Sequence, residues 1–393
     1  MLRKNKNILI IALIAIVNAL GYGIIIPVLY SYSMKYGLSD FQNGLLFSTF
    51  SICQFISTPI IGRMSDKYGR RPLLIFSILG TAISFFMMAF APNYLFLFIA
   101  RALDGITAGN IPVASAVISD TTTQEQRAKG FGIIGASFGF GFIFGPAISA
   151  LTVSHSASLP FIIAGSISLI AVILTAIFLP ETNKHIGEVK HAPLFNFSKL
   201  FHAMFDENIG ATLLITLLNA VSFSLMIFAY QPFSLKILHL SVNQISLLFT
   251  MFGVIGLITQ LFLVHKFVKL IGLKKLFSIA TFIISAVFLT IFFIRSLLPF
   301  VIASIFLGLS NSIIQPLIST ILSKETDEKS QGTILGLSAS YMSIGQILGP
   351  VIGGIIATIA IPFPFLAASI FSLLAFFLTF HVLKKGVKKE SAF

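Results

Sequence analysis

Apolar runs of about twenty positions alternate along the chain with short polar or Gly/Pro-containing breaks. A helix that crosses a bilayer needs roughly 20 mostly apolar residues, because the hydrocarbon core is about 30 Å thick and each residue rises about 1.5 Å. Two intervals free of Asp, Glu, Lys and Arg, residues 130–180 and 330–383, are far longer than one crossing. Each is interrupted in the middle, by TVSHSAS (152–158) and by IPFP (361–364), so each reads as two helices joined by a turn. The full pattern predicts twelve helices, near 8–31, 41–61, 72–90, 94–119, 129–151, 158–179, 209–233, 243–264, 276–294, 297–322, 331–357 and 362–383. The expected fold class is an all-α, multi-pass membrane protein.

Composition agrees, with 56% hydrophobic and only 10% charged residues. The opening segment, MLRKNKN followed by an apolar run to Ser31, is longer than a signal-peptide core and lacks a small-residue cleavage site, so it is expected to stay as the first helix. The single cysteine, Cys53, excludes an internal disulfide and reads as a small packed residue.

The net charge of +13 raises the question of nucleic acid, and its distribution answers it. With the N-terminus placed in the cytoplasm, 22 of the 26 basic residues fall on the cytoplasmic side. Lys35, Lys236 and Arg295 fall on the other side, and Arg101 lies within a helix. That asymmetry is the positive-inside pattern, predicts both termini in the cytoplasm, and leaves no basic surface to assign to nucleic acid.

The chain repeats itself. LSDFQNGLLFSTF (38–50) recurs as LSVNQISLLFTMF (240–252) with seven of thirteen positions identical. GFIFGP (141–146) matches GQILGP (345–350), and Pro112 matches Pro316, both at an offset of 204. Matches in chain order at nearly constant offset indicate duplication. The predicted organisation is a six-helix bundle (1–179), a cytoplasmic linker (180–208) and a second six-helix bundle (209–393). Six is even, so the two repeats run parallel, an arrangement that resembles the major facilitator transporters. His185, His191 and His202 in or beside the linker match no metal-ligand spacing, and no metal or cofactor is expected.

The segment GRMSDKYGRRPLL (62–74) matches the major facilitator loop signature at Gly62, Asp66, Gly69, Arg70 and Arg71. The resemblance implies a cytoplasmic gate in which Asp66 faces the start of helix 11, the glycines permit close approach, and Arg70 or Arg71 meets Asp120. GFGFIFGPAISA (139–150) resembles the G-x-x-x-G-P element of drug:proton antiporters through Gly141, Gly145 and Pro146, and the second repeat carries it at Gly345, Gly349 and Pro350. Small residues there allow tight helix packing, and each proline favours a kink. Residues 104–146, 18–29 and FLPET (178–182) resemble the bacterial tetracycline efflux proteins. Asn18 and Ser84 stand where those exporters carry acids, which points away from tetracycline as the substrate.

Arg101 and Asp104 are the ionisable pair set deep in a predicted span. Counted from Tyr94, Asp104 lies about 15 Å along the helix, near the bilayer midplane. Charges there are costly, roughly 2.5 to 3.5 kcal/mol each, and i, i+3 spacing lets the two pair. The functional reading gives Asp104 the transported proton, with Arg101 holding it ionised until the pair separates; a self-neutralising structural pair is the alternative. By resemblance, helices 1, 4, 7 and 10 line the substrate cavity. They offer Asn18, Tyr22, Asn110, Asn219, Tyr230, Asn311 and Gln315, joined by Gln54 and Tyr341 from neighbouring helices. This lining suits a small lipophilic, weakly polar compound.

The sequence therefore predicts a monomeric proton-coupled exporter of the drug:proton antiporter group, in a bacterial cytoplasmic membrane, with protons, a small molecule and lipid as its partners. Export of a native metabolite such as a siderophore, and import of an organic anion bound by Arg101, are the competing readings. A sensor or membrane enzyme is disfavoured, since no nucleotide loop, metal cluster or nucleophile–base pair stands out.

Overall fold

The computed structural model describes residues 2–122, 124–183, 186–187, 197–326 and 330–384, with the side chains of these except 2–8, 124–131, 197 and 199. Among the described residues all regular structure is helical. The first part of the chain forms α1 (Leu2–Ile25), α2 (Leu29–Met34), α3 (Asp40–Tyr68), α4 (Arg70–Ala89), α5 (Tyr94–Thr107), α6 (Asn110–Thr121), α7 (Gln124–Thr152) and α8 (Leu159–Phe178). The remainder forms α9 (Phe197–Ala203), α10 (Gly210–Lys236), α11 (Val242–Ile258), a π-helical turn (Thr259–Leu263), α12 (Val264–Ile271), α13 (Leu273–Phe293), α14 (Leu297–Lys324), α15 (Gln331–Ala357) and α16 (Phe363–Lys384). Among the described residues eleven helical stretches are long and apolar enough to cross a membrane, and Leu9–Ile25 is a shorter apolar one at the place of the first predicted crossing.

The helices differ from the hydropathy pattern in two ways. Several run past their apolar stretch, as α3 does through Arg63, Asp66 and Lys67 to Tyr68. Hydropathy marks where the lipid ends, whereas backbone hydrogen bonding continues until a residue breaks it. Two predicted helices are broken. The first turns at residues 26–28, around Pro27, and the fourth breaks at Ala108–Gly109. Pro112 has no N–H to give and its ring crowds the carbonyl four residues earlier, at Ala108.

The chain separates into two compact units, Met1–Phe195 with His239–Val254, and Asn196–Leu238 with Ile255–Phe393. In the first, α1 lies against α7 through small residues. A Cβ on Gly145 would stand 2.8 Å from Gly23, and Ser149 Oγ donates to the Ile24 carbonyl at 2.9 Å. On α8, Ala164, Ser168, Ala171 and Thr175 face inward while Ile170, Ile173 and Ile177 are exposed. That arrangement fits a lipid solvent, in which close backbone packing and not apolar burial joins helices. Ile14, Leu74, Val113 and Val117 form part of the core of this unit.

The second unit repeats the design. A Cβ on Gly345 would stand 2.8 Å from Val221, and one on Gly349 2.5 Å from Ser224, so α15 lies close on α10. Ser285 on α13 and Ser369 on α16 each donate to the other's carbonyl at 2.9 Å.

Candidate functional site

Asn93 caps α5 by accepting from Phe96 N–H at 3.1 Å, and the helix then carries Arg101 and Asp104 inward on one face. Arg101 Nη1 lies 3.3 Å from Asp104 Oδ2, and Thr81 on α4 donates to the other carboxylate oxygen at 3.0 Å. The two residues are only 4% and 6% exposed. The Arg101 guanidinium lies over the Phe50 ring of α3, 4.5 Å from its centroid. Arg101 Nε is buried and has no hydrogen-bond partner among the described residues. Gly105 makes this approach possible, because a Cβ there would stand 2.5 Å from the Phe50 carbonyl and 2.6 Å from Cys53. Ser57 Oγ completes the seam by donating to the Gly105 carbonyl at 2.8 Å. A carboxylate held by one cation and one hydroxyl can take up a proton and later release it, and either event changes its pairing with Arg101.

The other candidate residues are placed by each unit separately. In the first, Asn110 opens α6 beyond the break and donates to Asn18 Oδ1 of α1 at 2.9 Å. Tyr22 meets Phe142 edge to face at 5.8 Å, and Gln54 is half-buried on α3. In the second, Asn219 is half-buried with its Nδ2 lacking a partner among the described residues, and Asn311 is half-buried. Gln315 is exposed and its amide reaches Met342 Sδ at 3.1 Å. Tyr230 is fully buried with its hydroxyl 2.7 Å from Ser304 Oγ, and Tyr341 donates to the Leu200 carbonyl at 2.6 Å. These two hydroxyls are taken up by the protein itself in this conformation.

At the end of α3, Arg70 gathers three acceptors. Its Nη1 lies 2.6 Å from Ser65 Oγ and 2.5 Å from Asp66 Oδ1, and its Nε lies 3.1 Å from Asp120 Oδ2. Arg71 turns away and donates to the Ala176 carbonyl. Gly69 sits at φ +102°, where a side chain is strained, whereas a Cβ on Gly62 would meet open space. The group that closes on Gly69 is the Glu181 carboxylate.

Sequence reasoning missed Glu181. Its carboxylate accepts from the backbone N–H groups of Arg70, Arg71, Thr182 and Asn183 at 2.8 to 3.1 Å, so it caps the start of α4 from across the bundle. Partial burial alone would raise its pKa, but the four amide donors outweigh that and hold it below the ordinary carboxyl value. Its signal is the segment FLPET (178–182), which resembles the tetracycline efflux proteins. His185 and His191 lie outside the described residues, and His202 bonds within α9, to the Ser198 carbonyl at 2.7 Å.

The family model described as Major Facilitator Superfamily matches residues 11–207 and 212–393. The chain belongs to the Major Facilitator Superfamily. It is 29% identical over 374 residues to Multidrug resistance protein 1 of Bacillus subtilis (strain 168), covering 94% of each chain. It is 30% identical over 359 residues to the Tetracycline resistance protein, class H, of Pasteurella multocida, covering 88% of each. Among solved structures, the inward-facing, unoccupied bacterial homologue of the human lysosomal transporter Spinster superposes with a TM-score of 0.79 at 16% identity, over 97% of this chain and 98% of that one.

A Major Facilitator chain is a membrane transporter and not an enzyme. In this member the Arg101–Asp104 pair shares its span with Asn110, and Ser84 turns its hydroxyl to the Thr81 carbonyl at 2.8 Å.

Proposed function

We propose that this Major Facilitator transporter exports small lipophilic compounds in exchange for protons, across a bacterial cytoplasmic membrane with both termini in the cytoplasm. The observation that carries the reading is Asp104, an acid near the middle of a span, buried and held by Arg101 and Thr81. While Asp104 is ionised, the pair is neutral and tolerates an uncharged solute nearby. A proton from the outer side turns Asp104 into a hydrogen-bond donor, frees Arg101 and drives the return of the empty carrier. The Asn18–Asn110 bond and the Tyr22 ring supply a polar and an aromatic surface for such a solute. The cluster of Asp66, Gly69, Arg70, Arg71 and Asp120 gates access from the cytoplasm, with Glu181 fixing its backbone. The names of the relatives, multidrug and tetracycline resistance proteins at about 30% identity, support export.

The test is transport in proteoliposomes with an imposed pH gradient and a panel of lipophilic dyes. The reading expects dye accumulation that follows the proton gradient and collapses with a protonophore. Accumulation indifferent to pH, or none for any dye, counts against it.

A further inference from the structure

Arg101 offers five N–H donors and uses few of them. Nη1 reaches Asp104 at 3.3 Å, longer than the roughly 2.7–2.9 Å usual for a charge-assisted hydrogen bond, and Nε has no partner among the described residues. Phe50 covers one face of the guanidinium. The titratable groups around it are Asp104 on α5, Cys53 on α3 and Tyr22 on α1, and α4 contributes the uncharged Thr81. Asp104 is thus the one negative partner available to it among the described residues. Protonating Asp104 leaves a guanidinium that is 4% exposed without a counter-charge. Arginine does not give up its proton at ordinary pH, and a buried charge stripped of its partner is strongly destabilising.

We propose that Arg101 is the centre of an anion site that fills when Asp104 is protonated, taking a monovalent inorganic anion or the carboxylate of an organic solute. Its pH dependence rests on the proton-coupling reading above; the site itself does not. The consequence is a sign rule for transport. An anion held by Arg101 on the proton-loaded form moves with the proton, whereas a neutral compound that binds the ion-paired form moves against it.

The test is thermal unfolding of the full-length protein in detergent at pH 5 and pH 8, with sulfate as the background salt and chloride or benzoate as the probe. At saturating probe the wild type should gain about 3 °C in Tm at pH 5 and little at pH 8. Asp104→Asn should gain as much at both pH values, and Arg101→Gln combined with Asp104→Asn should gain at neither. A response to chloride alone identifies a counter-ion, and a response to benzoate alone identifies an organic acid. Gains in Asp104→Asn without pH dependence in the wild type support the site while counting against titration of Asp104. No gain from either probe in Asp104→Asn overturns the proposal, as does an undiminished gain in the double variant.

Discussion

The Glu181 carboxyl carbon stands 2.8 Å from the point that a Cβ on Gly69 would occupy, and the same carboxylate accepts the amides of Arg70 and Arg71 just beyond that glycine. Gly69 is held at φ +102°, ψ 157°, a region open in practice to glycine alone. Gly69→Ala should therefore lose about 1–3 kcal/mol of stability. Gly62→Ala, in a helix with open space around it, should be neutral or gain up to about 1 kcal/mol. Thermal unfolding of the two variants in one detergent distinguishes them, and equal losses would refute the assigned geometry.

Glu181 also sets a pH dependence. Its folded pKa is depressed, so its contribution is present above the ordinary carboxyl range and is lost as pH falls through the folded value. Glu181→Gln should be less stable than the wild type at pH 7, and the gap should narrow as the medium is made acidic. A gap that is constant with pH would show that the charge on Glu181 is immaterial.

Arg70 spans Ser65, Asp66 and Asp120 from two edges of one planar group. A lysine ammonium keeps the charge but cannot hold that geometry. Arg70→Lys should lower Tm measurably, while Lys67→Arg, on an exposed side chain, should leave it unchanged. Unfolding curves that coincide for Arg70→Lys and wild type would reduce the cluster to a charge effect.

The buried pair makes a sharper prediction. Arg101→Ala strands Asp104 in low dielectric, which can cost about 3–5 kcal/mol, whereas removing both charges with Arg101→Ala and Asp104→Asn should cost less. A double-mutant cycle on thermal stability should show strong coupling between the two. Additive losses would mean that they are not partners.

Hydropathy and the repeat were enough to read the twelve crossings, because bilayer thickness and duplication leave long-range marks in a sequence, while the family was legible through the loop signature at Gly62–Arg71 and the glycine–proline elements. The i, i+3 spacing of Arg101 and Asp104 likewise put them on one helical face. What could not be read was anything decided by neighbours remote in the chain. Thr81 and Phe50, the contacts that complete the pair, come from other helices and carry no local mark. Glu181 lies 111 residues from Arg70, so its capping role emerges only once α8 is packed on α4. The breaks at residues 26–28 and at Ala108–Gly109 were legible in principle, since the first contains Pro27 and the second precedes Pro112, but apolar continuity on both sides masked them.

The central claim, that Asp104 carries the coupled proton, is tested most directly by comparing Asp104→Asn with wild type in inverted vesicles. Dye accumulation driven by an imposed pH gradient is the readout, with equilibrium dye binding measured in parallel. The account predicts that the variant still inserts and still binds dye, while gradient-driven accumulation falls to the level of empty vesicles. Full accumulation by Asp104→Asn would contradict the account and send the proton by another route.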